Sequence, residues 1–328
     1  MAQKNEFCPE MLSALKNANS ILLCTHVSPD GDAIGATLAM GLGLRTMGKQ
    51  VTWANDDPVP QQYRILPSSE AFVRPAALAG RKFDAALAID AADEKRLGEC
   101  RAAFFSAPVT MQMDHHSGNP QYAQINVVDA QASAAGCVVF RCLKGLNVAL
   151  TPEIAACLYC AVSTDTGNFR FGNTTPEAFA MTAELMETGF DLAYYARMLH
   201  LLREEKNVRL LGRALCTLKV FGGGRCAGMV ITKADYRDAQ ALPEHNNAIV
   251  NYALDMPGVE MAYLAEERED GQVKASLRSL PPWNVADIAR QFGGGGHMLA
   301  AGLKYCGTLE ELQRELEKHM LRLLGCGE

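Results

Sequence analysis

His26, Asp30 and Asp32 lie within one short stretch, Cys24-Thr25-His26-Val27-Ser28-Pro29-Asp30-Gly31-Asp32-Ala33-Ile34-Gly35. One imidazole and two carboxylates so spaced offer nitrogen and oxygen ligands to a divalent cation. The competing reading is an Asp N-cap with a turn built on Pro29 and Gly31, and this stretch alone does not decide between them. Three more places end in the same chemistry. Asp90 closes the apolar run from Asp84, Asp114-His115-His116 follows the run Val109 to Met113, and Asp165 ends a helical segment in Thr164-Asp165-Thr166-Gly167. Converging carboxylates cannot all ionise without cations among them. Two divalent cations roughly 3.5–4 Å apart, bridged by a carboxylate, would neutralise them and would acidify a water between them. A mixture of Asp and His suits Mn²⁺ better than Mg²⁺, which prefers oxygen. Singly, each Asp reads as a turn or helix cap and each His as a hydrogen-bonded structural residue. Together those readings fail more readily than the metal reading does.

The convergence depends on the elements that carry these residues. Ile21 to Cys24 reads as a buried strand of a parallel sheet, and Ala33 to Met47 as the helix after it. Open parallel sheets place their sites beyond the carboxyl ends of the strands. Residues 8–18 read as an amphipathic helix, Gln50 to Ala54 as a second strand, and Asp56 to Pro75 as irregular. Helices fill Ser133 to Leu146 and Pro152 to Val162, and Pro176 starts another at a favoured first-turn position. Residues 191–213 read as a helical linker. Beyond it the texture changes to short β-rich runs, Cys216 to Phe221, Ala227 to Thr232, Glu260 to Glu266 and Val273 to Leu280, interleaved with helices near 246–255 and 285–291. Phe292-Gly293-Gly294-Gly295-Gly296-His297 precedes Ala300-Ala301-Gly302, and a helix from Leu309 to Leu324 closes the chain.

A length of 328 residues suits two domains. The formal net charge of -6 argues against a long basic nucleic-acid track but permits a local site for a short phosphorylated ligand. Aromatic residues are only 7%, and the sequence shows no stacking platform rich in them. The polar start carries no signal-peptide core and no run reaches transmembrane length. With 11 scattered cysteines, these features read as a reduced, cytoplasmic protein with no membrane partner. Cys157 and Cys160 form a Cys-x-x-Cys inside an apolar helical segment, where packing is the expected role.

The motifs His26-Val27-Ser28-Pro29-Asp30-Gly31-Asp32, Asp90, Asp114-His115-His116 and Thr164-Asp165-Thr166-Gly167 resemble the four motifs of the DHH phosphoesterase superfamily. Gly293-Gly294-Gly295-Gly296-His297 with Ala300-Ala301-Gly302 resembles the glycine-rich motif of its associated C-terminal domain. The resemblance covers nearly the whole chain. It implies an α/β fold: a parallel-sheet DHH domain with flanking helices over 1–190, a helical linker over 191–213, and a smaller α/β substrate-binding domain over 214–328, with a cleft between the domains. His26, Asp30 and Asp90 would hold one metal, and Asp32, Asp90, His115 and Asp165 the other, with Asp90 bridging. His116 would act near the scissile phosphate as hydrogen-bond donor or general acid, with Asp114 orienting an imidazole. Two divalent cations are implied, Mn²⁺ first, with Mg²⁺ or Co²⁺ as alternatives. On the second domain, Arg278, Ser279, Gly295, Gly296 and His297 would bind substrate, with His297 opening a short helix whose N-terminus favours an anion. A flexible hinge is the ordinary reading of the four glycines, and an exposed salt bridge that of Arg278. Alternation puts Arg278 on one face with Lys274 and Ser276. Arg170, in Asn168-Phe169-Arg170-Phe171, is a further candidate to line the cleft.

The branch of the superfamily that this pattern matches combines oligoribonuclease with 3′-phosphoadenosine-5′-phosphate (pAp) phosphatase activity. The expected function is hydrolysis of short RNA or DNA oligonucleotides to mononucleotides, with pAp or linear pApA as further substrates, no long nucleic acid, and a homodimeric state. A manganese inorganic pyrophosphatase is the nearest rival, but that family has a Lys-rich phosphate motif and no glycine run before a His. A single-strand DNA exonuclease of the superfamily would need a longer chain with an added barrel. Cyclic dinucleotide hydrolases usually carry membrane and sensor segments. A nucleotide-binding regulator with a dead metal site is the non-enzymatic alternative, and the complete ligand motifs argue against it.

Overall fold

Four of the five strands in the N-terminal sheet are apolar enough to be covered on both faces, which sets its parallel, helix-flanked character. The structure, a computed structural model, describes residues 7–246 and 248–325 and divides into two units, Met1–Leu202 and Arg203–Glu328. The division falls within the stretch read as a linker.

In the first unit α1 (Pro9–Asn17) leads into β1 (Ser20–Cys24), α2 (Gly31–Thr46) and β2 (Gln50–Ala54). An irregular stretch precedes β3 (Ala85–Ile89), α3 (Cys100–Ser106), β4 (Thr110–Asp114) and β5 (Ile125–Val128). Helices α4 (Ala135–Gly145), α5 (Pro152–Asp165), α6 (Pro176–Glu187) and α7 (Leu192–Ala196) complete it. All strand pairs are parallel, in the order β2-β1-β3-β4-β5. Alternation along β1 sends Ile21 and Leu23 into one core and Leu22 and Cys24 into the other, so helices cover both faces. Helix α2 crosses α5 at very close range. A Cβ on Gly35 would lie 2.4 Å from the Cys157 carbonyl oxygen, and one on Gly31 2.4 Å from Thr164 Oγ1. This approach brings the start of α2 to the end of α5.

The linker is not one helix. A π-turn at Arg197–Leu201 follows α7, Leu202 is extended, and α8 (Glu205–Cys216) begins afresh. Cys216 therefore ends a helix rather than starting a strand, and β6 is only Lys219–Phe221. The second unit continues with β7 (Cys226–Ile231), α9 (Lys233–Asp238), α10 (Ile249–Leu254), β8 (Met261–Glu267), β9 (Val273–Ser279), α11 (Val285–Gln291), β10 (Gly295–His297), β11 (Ala300–Tyr305) and α12 (Leu309–Leu323). Its mixed sheet runs β10-β11-β9-β8-β7-β6, with only β7 and β8 parallel. One face packs on α11 and α12; the other packs on α8, α9 and α10 mainly over β7 and β8.

Among the described residues no helix is long and apolar enough to cross a membrane, and the cysteines are all free. Cys157 and Cys160 are buried in α5, as packing requires.

Candidate metal centre

The strand order of the first sheet reverses at β1, whose neighbours are β2 on one side and β3 on the other. The chain leaves β1 toward β2 and leaves β3 toward β4, so a crevice opens at the carboxyl ends of β1 and β3. His26, two residues beyond β1, and Asp90, directly after β3, meet there. His26 Nε2 lies 3.6 Å from Asp90 Oδ2 and 3.7 Å from Asp30 Oδ2. Asp30 uses its two oxygens differently: Oδ1 caps α2 by accepting from the Ala33 amide at 3.0 Å, while Oδ2 faces the imidazole. Asp90 sits at φ 57°, a strained backbone for a non-glycine residue, of the kind stored at functional sites. Its amide donates to the Met113 carbonyl at 3.0 Å, which fixes the turn of the chain.

A second group forms beside the first. His115 Nε2 is 3.7 Å from each of Asp32 Oδ2, Asp90 Oδ1 and Asp165 Oδ2. Asp32 is buried against the start of α4, accepting from the Ala135 amide at 2.6 Å and the Gly136 amide at 2.9 Å. The helix lacks a side-chain cap of its own, so a residue of α2 supplies it. Asp165 stands at the last turn of α5, held by the Asn173 side chain, whose Nδ2 donates to its carbonyl at 3.1 Å and to Oδ2 at 3.3 Å.

The imidazoles of His26 and His115 are both held from behind. Nδ1 of His115 is 3.3 Å from the Ala132 carbonyl oxygen. Nδ1 of His26 is 2.8 Å from the Val27 carbonyl oxygen and 2.9 Å from Arg96 Nη2. A cation at Nε2 would require the His26 proton to sit on Nδ1, donating to the carbonyl. His116 Nδ1 lies 2.8 Å from Asp114 Oδ1 and 3.6 Å from Asp90 Oδ1. The fully buried Asp114 also accepts from the His115 amide at 2.8 Å and from the Asn119 side chain.

The electrostatics are those of buried charges crowded together. Burial, then the charges of Asp90 and Asp165, hold Asp32 well above the usual carboxylate range. Burial also raises Asp90, with His26 offsetting part of it. Burial, partly offset by His115, and the charges of Asp90 and Asp30 push Asp165 up to about 6. Burial opposes charge on His26, but Asp30 and Asp90 outweigh it and raise the imidazole to about 10. Three features fit a pair of divalent ions. Asp90 Oδ1 is buried with no hydrogen-bond partner. The recurring 3.6–3.7 Å separations are too long for hydrogen bonds. They lie near the ~2.8–3.6 Å spacing of two ligands that each sit ~2.0–2.2 Å from one ion. Three sets of ligand atoms each fall within 4.8 Å of one another: those of His26, Asp30 and Asp90, those of Asp32, His115 and Asp165, and those of Asp90, His115 and His116.

On the second unit the expectation of a helix at His297 is wrong. Gly295–His297 is a strand paired antiparallel with β11, and residues 298 and 299 form the turn of a hairpin. The glycine run is shaped by packing. Gly293 (φ 74°) ends α11, its amide donating to Arg290. A Cβ on Gly294 would meet the Gly302 carbonyl oxygen at 2.4 Å, and one on Gly296 (φ 144°) the Ala300 carbonyl oxygen at 2.5 Å. His297, Ala300 and Arg278 stand in one lateral row, putting His297 and Arg278 two strand spacings, about 10 Å, apart on one face. Gly295, Ser276, Lys274 and Lys304 share that face, and it is at least partly exposed. Ser279 is not with them. It points to the opposite face, buried, with its hydroxyl donating to the Trp283 carbonyl at 2.9 Å. Of the residues now at the site, Asn119 read only as part of a turn, and Arg96 and Asn173 carried no sequence signal.

Comparison with known proteins bears on the family and the fold. The family model of the DHH family, N-terminal domain, matches residues 20–162, and that of the DHHA1 domain matches residues 222–322. The chain is 34% identical to the bifunctional oligoribonuclease and PAP phosphatase NrnA of Thermus thermophilus, over 92% of its own length and 88% of the relative. A crystal structure of an exopolyphosphatase-related protein from Bacteroides fragilis superposes with a TM-score of 0.83 at 25% identity, covering 96% of each chain. The exonuclease RecJ bound to manganese shares the fold, with a TM-score of 0.54 at 16% identity over 95% of this chain and 94% of that one.

Proposed function

This chain belongs to the DHH family of metal-dependent phosphoesterases, and we propose that it hydrolyses short oligonucleotides to mononucleotides and removes the 3′-phosphate of pAp, using two manganese ions. The observation that carries the reading is Asp90, a buried carboxylate with one unsatisfied oxygen between two groups of ligand atoms. His26, Asp30 and Asp90 would hold one ion, and Asp32, Asp90, His115 and Asp165 the other. When bound, such ions supply Lewis acidity toward phosphoryl oxygens and acidify water.

The chain's own residues do the rest. Val27 and Ala132 fix the tautomers of the two ligand imidazoles. Asp114, kept ionised despite its burial by hydrogen bonds from His116 and Asn119, raises His116 above the ordinary imidazole value. His116 is then poised to present a proton at Nε2 to a phosphoryl or leaving oxygen. Arg278, Gly295, Gly296 and His297 would contact the part of the substrate remote from the reacting phosphate. The Thermus relative, named for the same two activities, supports the substrate class.

The test is a panel of 5′-labelled RNAs and DNAs of two to seven nucleotides and one of about twenty, a length beyond a single small groove, with pAp alongside. Turnover should require manganese, stop on chelation, and be highest at two to four nucleotides. Metal-independent turnover, or equal kcat/KM on the long chain, overturns the reading.

A further inference from the structure

After Asp165 the chain makes an unusual turn. Gly167, Asn168 and Phe169 are three consecutive residues in the left-handed region, with φ of 56°, 58° and 62°. Two of them are not glycine, and such backbone persists only where the surroundings over-determine it. Here they do. The Asn168 amide donates to the Ser163 carbonyl at 2.6 Å, and the Phe169 amide to Thr166 Oγ1 at 3.0 Å. The Arg170 and Phe171 amides both reach the Thr166 carbonyl at 3.0 Å. Asn173 then returns the chain to Asp165. The turn thus starts just after Asp165 and is fastened back to it through the Asn173 side chain.

Its two phenylalanines have opposite fates. Phe169 is anchored, stacked on Phe179 with ring centroids 5.1 Å apart. Phe171 is 56% exposed, yet its ring is held flat against the backbone of Gly167, where a Cβ would lie 2.4 Å from the ring. A singly exposed phenylalanine is ordinary; one fixed in place with a face to solvent beside a phosphoesterase centre is a stacking surface. Arg170 stands next to it, exposed. Its Nε donates to the Gly167 carbonyl at 2.8 Å, and it pairs with no carboxylate among the described residues despite the acidic cluster nearby. One donor of five is used, so the outer edge of the guanidinium is available to an anion.

We propose that this turn is a nucleotide subsite, in which Phe171 stacks a nucleobase and Arg170 holds a phosphate of the same nucleotide. The chemistry recognised is a planar base joined to a phosphate at short range, which a phosphate ester without a base cannot reproduce. It rests on the nucleotide reading of the centre and adds a single-ring platform to a chain otherwise poor in aromatics.

The test titrates the manganese-loaded full-length protein with AMP and with ribose 5-phosphate by calorimetry, for the wild type and for Phe171→Ala, Phe171→Leu, Phe171→Trp and Arg170→Ala. Each variant is first checked for wild-type melting temperature and manganese content. The wild type should bind AMP roughly 5- to 150-fold more tightly than ribose 5-phosphate, the range expected for one stacked base. That ratio should fall toward one in Phe171→Ala and Phe171→Leu and survive in Phe171→Trp. Arg170→Ala should weaken both ligands together. A ratio unchanged by loss of the ring, or no preference for AMP in the wild type, overturns the subsite. So does a Phe171→Ala variant that changes only the oligomeric mass, which would make the ring a contact between copies. Failure to hydrolyse dinucleotides with the AMP preference intact and dependent on Phe171 would sink the proposed substrate and leave the subsite standing.

Discussion

Asp114 Oδ1 and His116 Nδ1 are 2.8 Å apart, and the carboxylate is wholly buried while the imidazole is partly exposed. The buried charge thus fixes the ring and leaves Nε2 facing outward. The pair stands beside the ligand cluster, since the same Nδ1 is 3.6 Å from Asp90 Oδ1.

From that arrangement, His116→Ala should lower kcat by about 10²–10⁴, the usual worth of a positioned proton donor, while manganese content stays at the wild-type level. Metal analysis and steady-state kinetics on one preparation check this. A large loss of bound manganese would make His116 a ligand instead.

Protonation gives a second prediction, for the chelated protein. Asp165 rises to about 6, so the folded chain holds this proton more tightly than the unfolded chain. Its contribution to stability falls as pH rises from about 4 to about 6. His26 rises to about 10, so its contribution is present below about 6.5 and is lost as pH rises toward 10. Both slopes have one sign. Asp30, held low against its burial by the neighbouring His26 charge and the Ala33 amide, and Asp114, held low by hydrogen bonds from His116 and Asn119, act oppositely, and only on the acid side. The melting temperature in EDTA should therefore fall from pH 5 to pH 9, and saturating manganese should flatten the slope. A melting temperature that climbs with pH in EDTA contradicts the account.

Much of this centre was legible because its residues sit where apolar runs stop. Cys24, Ile89 and Met113 end buried stretches, and whatever follows them must emerge at one edge of a parallel sheet. The order of strands was not legible, and it is what puts His26 opposite Asp90. Strand β5 went unread because its four residues are all partly exposed at a sheet edge, within a stretch of turn-forming residues. Helix α3 is short and lies in a stretch with no strong period. A run of glycines has no side chains to show alternation, so β10 looked like a loop before a helix. Ser279 is different. The alternation that joins Arg278 to Lys274 and Ser276 already places Ser279 on the other face, and only the family resemblance grouped it with Arg278.

Substrate choice should separate from metal binding. Arg278→Ala is expected to raise KM on dinucleotides and leave manganese affinity unchanged, because Arg278 belongs to the second unit and all the proposed ligands belong to the first. An equal loss on bis-p-nitrophenyl phosphate, which lacks a nucleoside, would show that Arg278 does not grip a remote group.

The most direct test is the manganese bound per chain, measured with turnover, in wild type and Asp90→Asn. Asp90 is buried, strained and shared between the two ligand groups, and asparagine keeps its shape while removing the charge. The account predicts two ions in the wild type, fewer in the variant, no measurable turnover, and a chelated variant that melts no lower than the chelated wild type. A variant that keeps both ions and the wild-type rate would contradict it.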